Sequence, residues 1–315
     1  MWFLRGAIME KREAISKFAL KRPESVGVYG YGSGVFKQSN TEGSKPLTDV
    51  IFIVPDIRKW HLKNMQMNSG DYSIIGRIHL SRKNISKLKG RNHITYFSEI
   101  REGEYTFKYG VIEVEDFKRG LNTWDNIFTA GRFHKPVMEI TSRDDIREAI
   151  NYNKDCALML ACLFCDSDTT KEEIYRKLCG LSYMGDARMA IAENPRKVEN
   201  IVEGSFDKLS DMYPLNGDYI LECDDEKVVI SHDKLLSRLY ELPERLLEFL
   251  EDMGTDFNDL DLVRINIHEY LVSRNKVESR AQIMQGVKTN GIVRSIPYAF
   301  AKVKKRISKY LNLFY

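Results

Sequence analysis

Apolar and polar positions change their period along this chain. Over residues 9–22 the apolar residues fall on one side of a helical pattern, with Ile15, Phe18 and Ala19 together. VGVYGYG then reads as a short buried strand ending in a glycine turn. Thr48–Val54, TDVIFIV, is the strongest strand signal, rich in β-branched residues and stopped by Pro55. Residues 57–67 fit a helix, and HITYFSEI and YTFKYGVIEVE fit two further strands joined by the turn REGE.

From Asp116 onward the period is helical. DFKRGLNTWDNIFTAGRF continues until Pro136, and residues 144–163 and 169–182 predict helices, the second opening with Thr169 and Glu172 at capping-box spacing. Residues 197–213 predict another helix. GDYILECDDEKVVISHD places two apolar runs around an acidic turn, a hairpin pattern, and 234–252 and 256–274 are again helical. The expectation is an α+β protein. A nucleotidyltransferase-type domain with a mixed sheet would occupy 1–140, a helical winged-helix-like domain 141–245, and a C-terminal helical region 246–315. The cleft between the halves is the expected site.

Composition narrows this picture only slightly. The 315 residues are 43% hydrophobic and 30% charged, which suits a soluble globular chain of two domains and an appendage. No apolar run reaches the length of roughly 18 residues that a spanning helix needs. The opening MWFLRGAIMEKREAISKF reads as neither a secretory signal nor a transit peptide, so a cytoplasmic enzyme at the inner face of a membrane is expected. Cys156, Cys162, Cys165, Cys179 and Cys223 are odd in number and cluster in a helical region, which points to a reducing compartment. The C-x-x-C of Cys162 and Cys165 lies in the apolar run CALMLACLFC and reads as buried thiols.

Candidate chemistry begins at YGYGSGVFKQ, residues 29–38. The backbone N–H groups and the hydroxyl of Gly32-Ser33-Gly34 could cradle triphosphate oxygens without side-chain bulk. Asp49, at the start of the following strand, could hold Mg²⁺ that bridges phosphates. The turn is not a Walker A loop, because no G-K-[ST] follows, and the G-x-G-x-x-G spacing of a dinucleotide site fails after Gly34. A polymerase-like D-x-D is also absent, since Ile51 stands at its second place.

YGSGVF, TDVIFIV, WHLKN, YS, FKYGVI, TWDNIFTAGRFHKPV, LSYMGDARM and ENPRKVENIV occur in this order. In these motifs the chain closely resembles the mitochondrial-type CDP-diacylglycerol synthases, phosphatidate cytidylyltransferases also called mitochondrial translocator assembly and maintenance proteins. The resemblance runs from about residue 25 to residue 213, with a weaker echo at VESRAQIMQGVKTNGIVRSIPY. It implies Mg²⁺-dependent conversion of CTP and phosphatidic acid to CDP-diacylglycerol and pyrophosphate, and peripheral membrane attachment.

Carried over residue by residue, the resemblance puts Gly32, Ser33 and Gly34 at the triphosphate and Asp49 at the metal, with Gly30 and Tyr31 only shaping the approach. Asp56 and Glu113 are candidates for further metal ligands. W-H-x-x-N gives Trp60, His61 and Asn64, and K-Y-G-V gives Lys108 and Tyr109. A-G-R-x-x-K-P-V gives Arg132 and Lys135. S-Y-x-G-D-x-R-M gives Tyr183, Asp186 and Arg188, and N-P-x-K-V gives Lys197. Asp49, Lys108, Arg132 and Asp186 are expected to be catalytic; His61, Asn64, Tyr109, Arg188 and Lys197 are expected on the nucleotide. Where the family carries H-Y-S, this chain has Asp71-Tyr72-Ser73. Plainer readings stand beside these: Trp60 as core, His61 as packing, and Asp125 with Arg132 as a solvated helix pair.

The tail carries its own signal. After Glu278 there is no acidic residue, while Arg280, Lys288, Arg294, Lys302, Lys304, Lys305, Arg306 and Lys309 follow. Within 297–315, Phe300, Val303, Ile307, Tyr310 or Leu311, and Phe314 recur at helical spacing, with Lys302, Lys305 and Lys309 on other faces. This pattern fits either an interfacial helix on anionic lipid or a helix packed on its own protein, and a lipid substrate favours the first. A nucleotidyltransferase acting on RNA or protein is the competing class. It would want aromatic stacking platforms or an extended basic stripe, which this sequence lacks, so no nucleic-acid partner is expected.

Overall fold

The computed structural model describes residues 2–36, 47–72, 94–191 and 194–290. The tail residues Phe300, Lys302, Lys305, Arg306, Ile307, Lys309 and Phe314 lie outside them. The protein is α+β, organised around a five-stranded mixed sheet. Helix α1 (Trp2–Leu20) leads into β1 (Gly27–Tyr31), then β2 (Thr48–Val54) and α2 (Ile57–Met67) follow. A β3 (Thr95–Glu102) and β4 (Tyr105–Glu113) hairpin comes next, then α3 (Val114–Thr123), α4 (Ile127–Phe133) and β5 (Val137–Ser142). The strand order is β3-β4-β2-β1-β5, with β2 and β4 parallel and every other pair antiparallel.

Strand β2 is apolar almost throughout because both faces of the sheet are covered. Val50, Phe52 and Val54 point into one core with Phe18, Trp60, Phe107 and Tyr109. Ile51 and Ile53 point into another with Tyr29, Ile112, Phe117, Phe133 and Ile146. Alternation therefore puts Asp49 on the Ile51 side.

The second half begins with α5 (Asp144–Leu163), β6 (Asp168–Thr169) and α6 (Lys171–Gly180). Then come α7 (Ala187–Ile191), α8 (Lys197–Met212), β7 (Ile220–Cys223) and β8 (Val228–Ile230). It closes with α9 (His232–Leu236), α10 (Glu244–Asp252) and the long α11 (Leu260–Asn290). A three-stranded sheet, β6-β8-β7, flanks these helices. Cys156, Cys162, Cys165 and Cys179 are buried free thiols in this core, as expected. Trp124, Ile127 and Ala130 belong to the same core, so α4 packs on both halves.

Three boundaries differ from expectation. The helix predicted from Asp116 breaks at Trp124, which is left-handed at φ 56° and fully buried. Its carbonyl accepts from Tyr270 Oη at 2.9 Å and its indole donates to Asn153 Oδ1 at 2.8 Å, contacts that hold it out of helical geometry. The cap of α6 is Thr170, whose Oγ1 accepts from Glu173 N, one residue later than the predicted Thr169–Glu172 box, because Thr169 pairs in β6. The helix expected over 234–252 is split, since Pro243 has no N–H to continue it.

Candidate active site

Register places the first functional group. On adjacent strands Asp49 faces Tyr31 of β1 on one side and Lys108 of β4 on the other. Lys108 Nζ lies 3.7 Å from Asp49 Oδ1 and 4.9 Å from the Tyr96 ring centroid. The turn after β1 is closed by Val35 and Phe36, whose N–H groups both donate to the Gly32 carbonyl. Gly32 adopts φ +75°, and a Cβ there would sit 3.4 Å from Asp49 Oδ2, so the turn lies directly against the carboxylate. Gly34 is needed for a different reason: its Cβ would fall 1.9 Å from the Leu47 carbonyl oxygen, where the turn packs on the chain entering β2. Ser33 is half-buried between them.

Cations supply the rest of the cleft. Arg132, on α4, stacks on Phe128 with its guanidinium carbon 3.4 Å from the ring centroid, and stands 5.5 and 5.6 Å from the Tyr31 and Tyr96 rings. The Tyr96 hydroxyl is buried beside Tyr31. Lys135, between α4 and β5, donates to Ser182 Oγ at 2.6 Å. Burial pushes its ammonium down to about 7; Cys179 opposes this, and the charges of Arg132, Lys197 and Arg188 add to it. Arg188 extends from α7 to within 5.3 Å of the same Phe128 ring.

Asp186 serves a different purpose from the catalytic contact expected of it. Its side chain is 2% exposed, both oxygens accept from Arg188 Nε at 3.0 Å, and Oδ1 also accepts from Arg188 N. This geometry orients Arg188. The alternative pairing of Asp125 with Arg132 also falls, because Asp125 accepts from Arg119 at 3.2 Å.

His61, Asn64 and Tyr109 are elsewhere. Lys108 and Tyr109 are consecutive in a strand, so they point to opposite faces, and only Lys108 shares the face of Asp49. Behind the sheet Asn64 Nδ2 donates to the Tyr72 and Tyr109 hydroxyls, and His61 Nδ1 is hydrogen-bonded to Tyr72 Oη at 3.0 Å. Burial lowers the His61 imidazole to about 3, so it stays neutral. Tyr109 Oη donates to Asp71, which also pairs with buried Arg22 at 3.1 Å, so the Asp71 departure from H-Y-S belongs to this internal network. Trp60 is core.

Asp56 and Glu113, the further candidate metal ligands, stand apart from Asp49 and bind backbone at the start of α2. Asp56 caps α2 by accepting from Lys59 N, and Glu113 Oε1 accepts from Ile57 N. Glu113 ends β4 opposite Val54, five residues along from the Asp49–Lys108 pair and roughly 17 Å from it at the usual rise per residue, and Asp56 lies two residues beyond Val54. Among the described residues no group of three or more His, Cys, Asp or Glu side chains could cage a metal ion.

Four contributors have no task assigned to them by the sequence. Tyr96 and Phe128 sit on apolar patterns that look like core, and Lys135 stood in a matched motif without an assigned task. Glu278 had no signal at all. From α11 its oxygens accept from Ile127 N at 3.1 Å and Phe128 N at 2.6 Å, and burial pushes its carboxyl up to about 8 against those two donors.

The charged groups that bear on Lys135 are mainly cations, and an anion with several oxygens is what would offset them. This α+β fold therefore gathers a cluster of cations suited to a phosphate-rich ligand. The profile of the family described as mitochondrial phosphatidate cytidylyltransferase matches residues 13–305, and the chain belongs to that family. The fission yeast Schizosaccharomyces pombe protein of that name is 30% identical over 94% of this chain and 84% of its own length. The Caenorhabditis elegans protein is 29% identical over 94% and 98%, and the Homo sapiens protein 32% identical over 67% and 47%.

Proposed function

We propose that the chain is a phosphatidate cytidylyltransferase, joining CTP and phosphatidic acid to give CDP-diacylglycerol and pyrophosphate for phospholipid synthesis. The observation that carries this reading is the clustering of the Lys108–Asp49 pair and the glycine turn with Arg132, Lys135, Arg188 and Lys197. A phosphate oxygen of phosphatidate attacks the α-phosphorus of CTP, a new P–O bond forms, and the α–β bridging bond breaks to release pyrophosphate. The attacking oxygen is already anionic, so the work is positioning and charge neutralisation. In this reading Gly32, Ser33 and Lys108 attend the triphosphate, while Lys135, Arg188 and Lys197 gather the remaining phosphate oxygens. Arg132, desolvated against Phe128, sits between the two groups.

Asp49 is the carboxylate placed to hold Mg²⁺. A single, mostly covered carboxylate beside the glycine turn fits an ion that keeps waters and phosphate oxygens as its other ligands. When bound, the ion would supply positive charge that offsets the charge building on the leaving group.

The five-stranded sheet supports a nucleotidyltransferase-type domain over 1–140. The β6-β8-β7 sheet with its helices supports a winged-helix-like domain over 141–245, and 246–315 completes the division. No helix among the described residues is long and apolar enough to cross a membrane. We place the protein peripherally on an anionic membrane face, docked through 297–315, on the matrix side in an organellar setting.

Labelled CTP and phosphatidate vesicles test the reading. Label should enter the lipid extract with wild type, and Asp49→Ala should abolish this while leaving the fold intact. Label in acid-precipitable polymer, or wild-type turnover by the variant, would overturn it.

A further inference from the structure

One face of α11 touches both arms of the cation cluster. Val272, Asn275 and Ser279 recur at i, i+3 and i+7, with Glu278 beside them. Asn275 Nδ2 donates to the Leu181 carbonyl at 2.9 Å, next to Ser182, which receives Lys135. Ser279 Oγ accepts from Ala187 N at 3.0 Å, at the start of the helix that bears Arg188. Gly185 passes so close that a Cβ there would lie 2.6 Å from the Val272 carbonyl oxygen. Glu278 takes the first two amides of α4, the helix that bears Phe128 and Arg132.

These polar side chains are 4%, 5% and 2% exposed at Asn275, Glu278 and Ser279, an unusual concentration on one helix face. Helix α4 already has a local cap, since Asn126 Oδ1 accepts from Thr129 N at 3.2 Å. A second, buried carboxylate brought from 150 residues away is a costly way to add mere helix stability. Its geometric effect is specific: Arg132 and Arg188 approach the same Phe128 ring from two segments, and α11 holds the start of each.

We infer that Asn275, Glu278 and Ser279 are positioning residues of the phosphate cleft, with Glu278 setting the placement of Arg132 through the first turn of α4. The inference rests on the cleft being the cytidylyltransferase site proposed above. Glu278 touches no reacting atom; it acts through Arg132, as Ser279 acts through Arg188.

The test is a double-mutant cycle on the full chain, with kcat and KM measured for CTP and for phosphatidate in vesicles. Glu278→Gln keeps the side-chain volume and one acceptor. It should lower kcat about 10-fold or more with a thermal midpoint near wild type, and cost less than about 2-fold when added to Arg132→Gln, because coupled sites are not additive. Wild-type kinetics in Glu278→Gln, or losses that multiply with those of Arg132→Gln, would overturn the inference. If Glu278→Gln does not fold, Ser279→Ala takes its place, with Arg188→Gln as the second arm and the same two criteria. Absence of cytidylyl transfer by wild type would instead overturn the proposed function. Hydrogen exchange in α4 then decides: unchanged rates in Glu278→Gln sink the inference and faster rates uphold it.

Discussion

Lys108 Nζ stands 3.7 Å from the Asp49 carboxylate across the parallel β2–β4 pair, with the two side chains 24% and 23% exposed. As a partly solvated pair it contributes no more than about 1 kcal/mol to stability. Its value is chemical, because it puts a fixed cation beside the glycine turn. Lys108→Met should lower kcat by about 10²–10³-fold, the usual effect of deleting a preorganised charge-stabilising group, with little change in thermal midpoint. The swapped variant Asp49→Lys with Lys108→Asp keeps the pair and should remain inactive. Activity in the swap would show that the pair serves only the fold.

Lys135 should make the proposed site sensitive to pH. Its folded value of about 7 lies below the usual lysine range, so in the free protein the ammonium is charged below pH 7 and lost above it. A bound phosphate favours the charged form, so binding near pH 7.5 should take up a proton, seen calorimetrically as a heat that varies with buffer. The alkaline fall of kcat/KM should report the same group. Lys135→Arg, charged throughout, should abolish the proton uptake.

The network behind the sheet should be kinetically silent. Tyr109→Phe removes the donor to Asp71 and an acceptor for Asn64, and should cost about 1–3 kcal/mol of stability while leaving KM for CTP unchanged. The His61 imidazole should show no NMR titration between pH 8 and 5 and no shift on adding CTP. Its folded value, about 3, lies below the unfolded one of about 6.5. Unfolding therefore takes up a proton in acid, and this group's share of stability falls as pH drops through that window. A KM effect in Tyr109→Phe would return these residues to the site.

Gly32 should tolerate no side chain. Gly32→Ala meets both a left-handed backbone and the Asp49 carboxylate, so it should cost about 1–2 kcal/mol and most of the activity. Equal activity would remove the turn from the site.

Removing residues 297–315 should abolish co-sedimentation with anionic liposomes and leave CTP binding intact. Undiminished co-sedimentation would count against docking through the tail.

Much of the fold could be read directly from the chain. TDVIFIV, the strongest strand signal, is strand β2, and Gly32 and Asp49, paired by the sequence reading, do lie together. The misplacements have physical causes. A contiguous motif, K-Y-G-V, assigned Lys108 and Tyr109 to one site, although a strand sends neighbours to opposite faces. Thr169 and Thr170 offer the same cap one residue apart, and only strand pairing chooses between them. Glu278 was illegible because its significance depends on Ile127 and Phe128, which tertiary packing alone brings to it.

The contact between Glu278 and Ile127 spans 151 residues of chain, and this separation has a consequence for the order of synthesis. All five strands of the mixed sheet have been made once Ser142 leaves the ribosome, so the glycine turn and Asp49 can form early. The basic half of the cleft gains its last fastening only after Ser279 is made. A nascent chain would thus carry the glycine turn and Asp49 well before the cations opposite them are fastened, and that fastening would wait for the residues around Ser279.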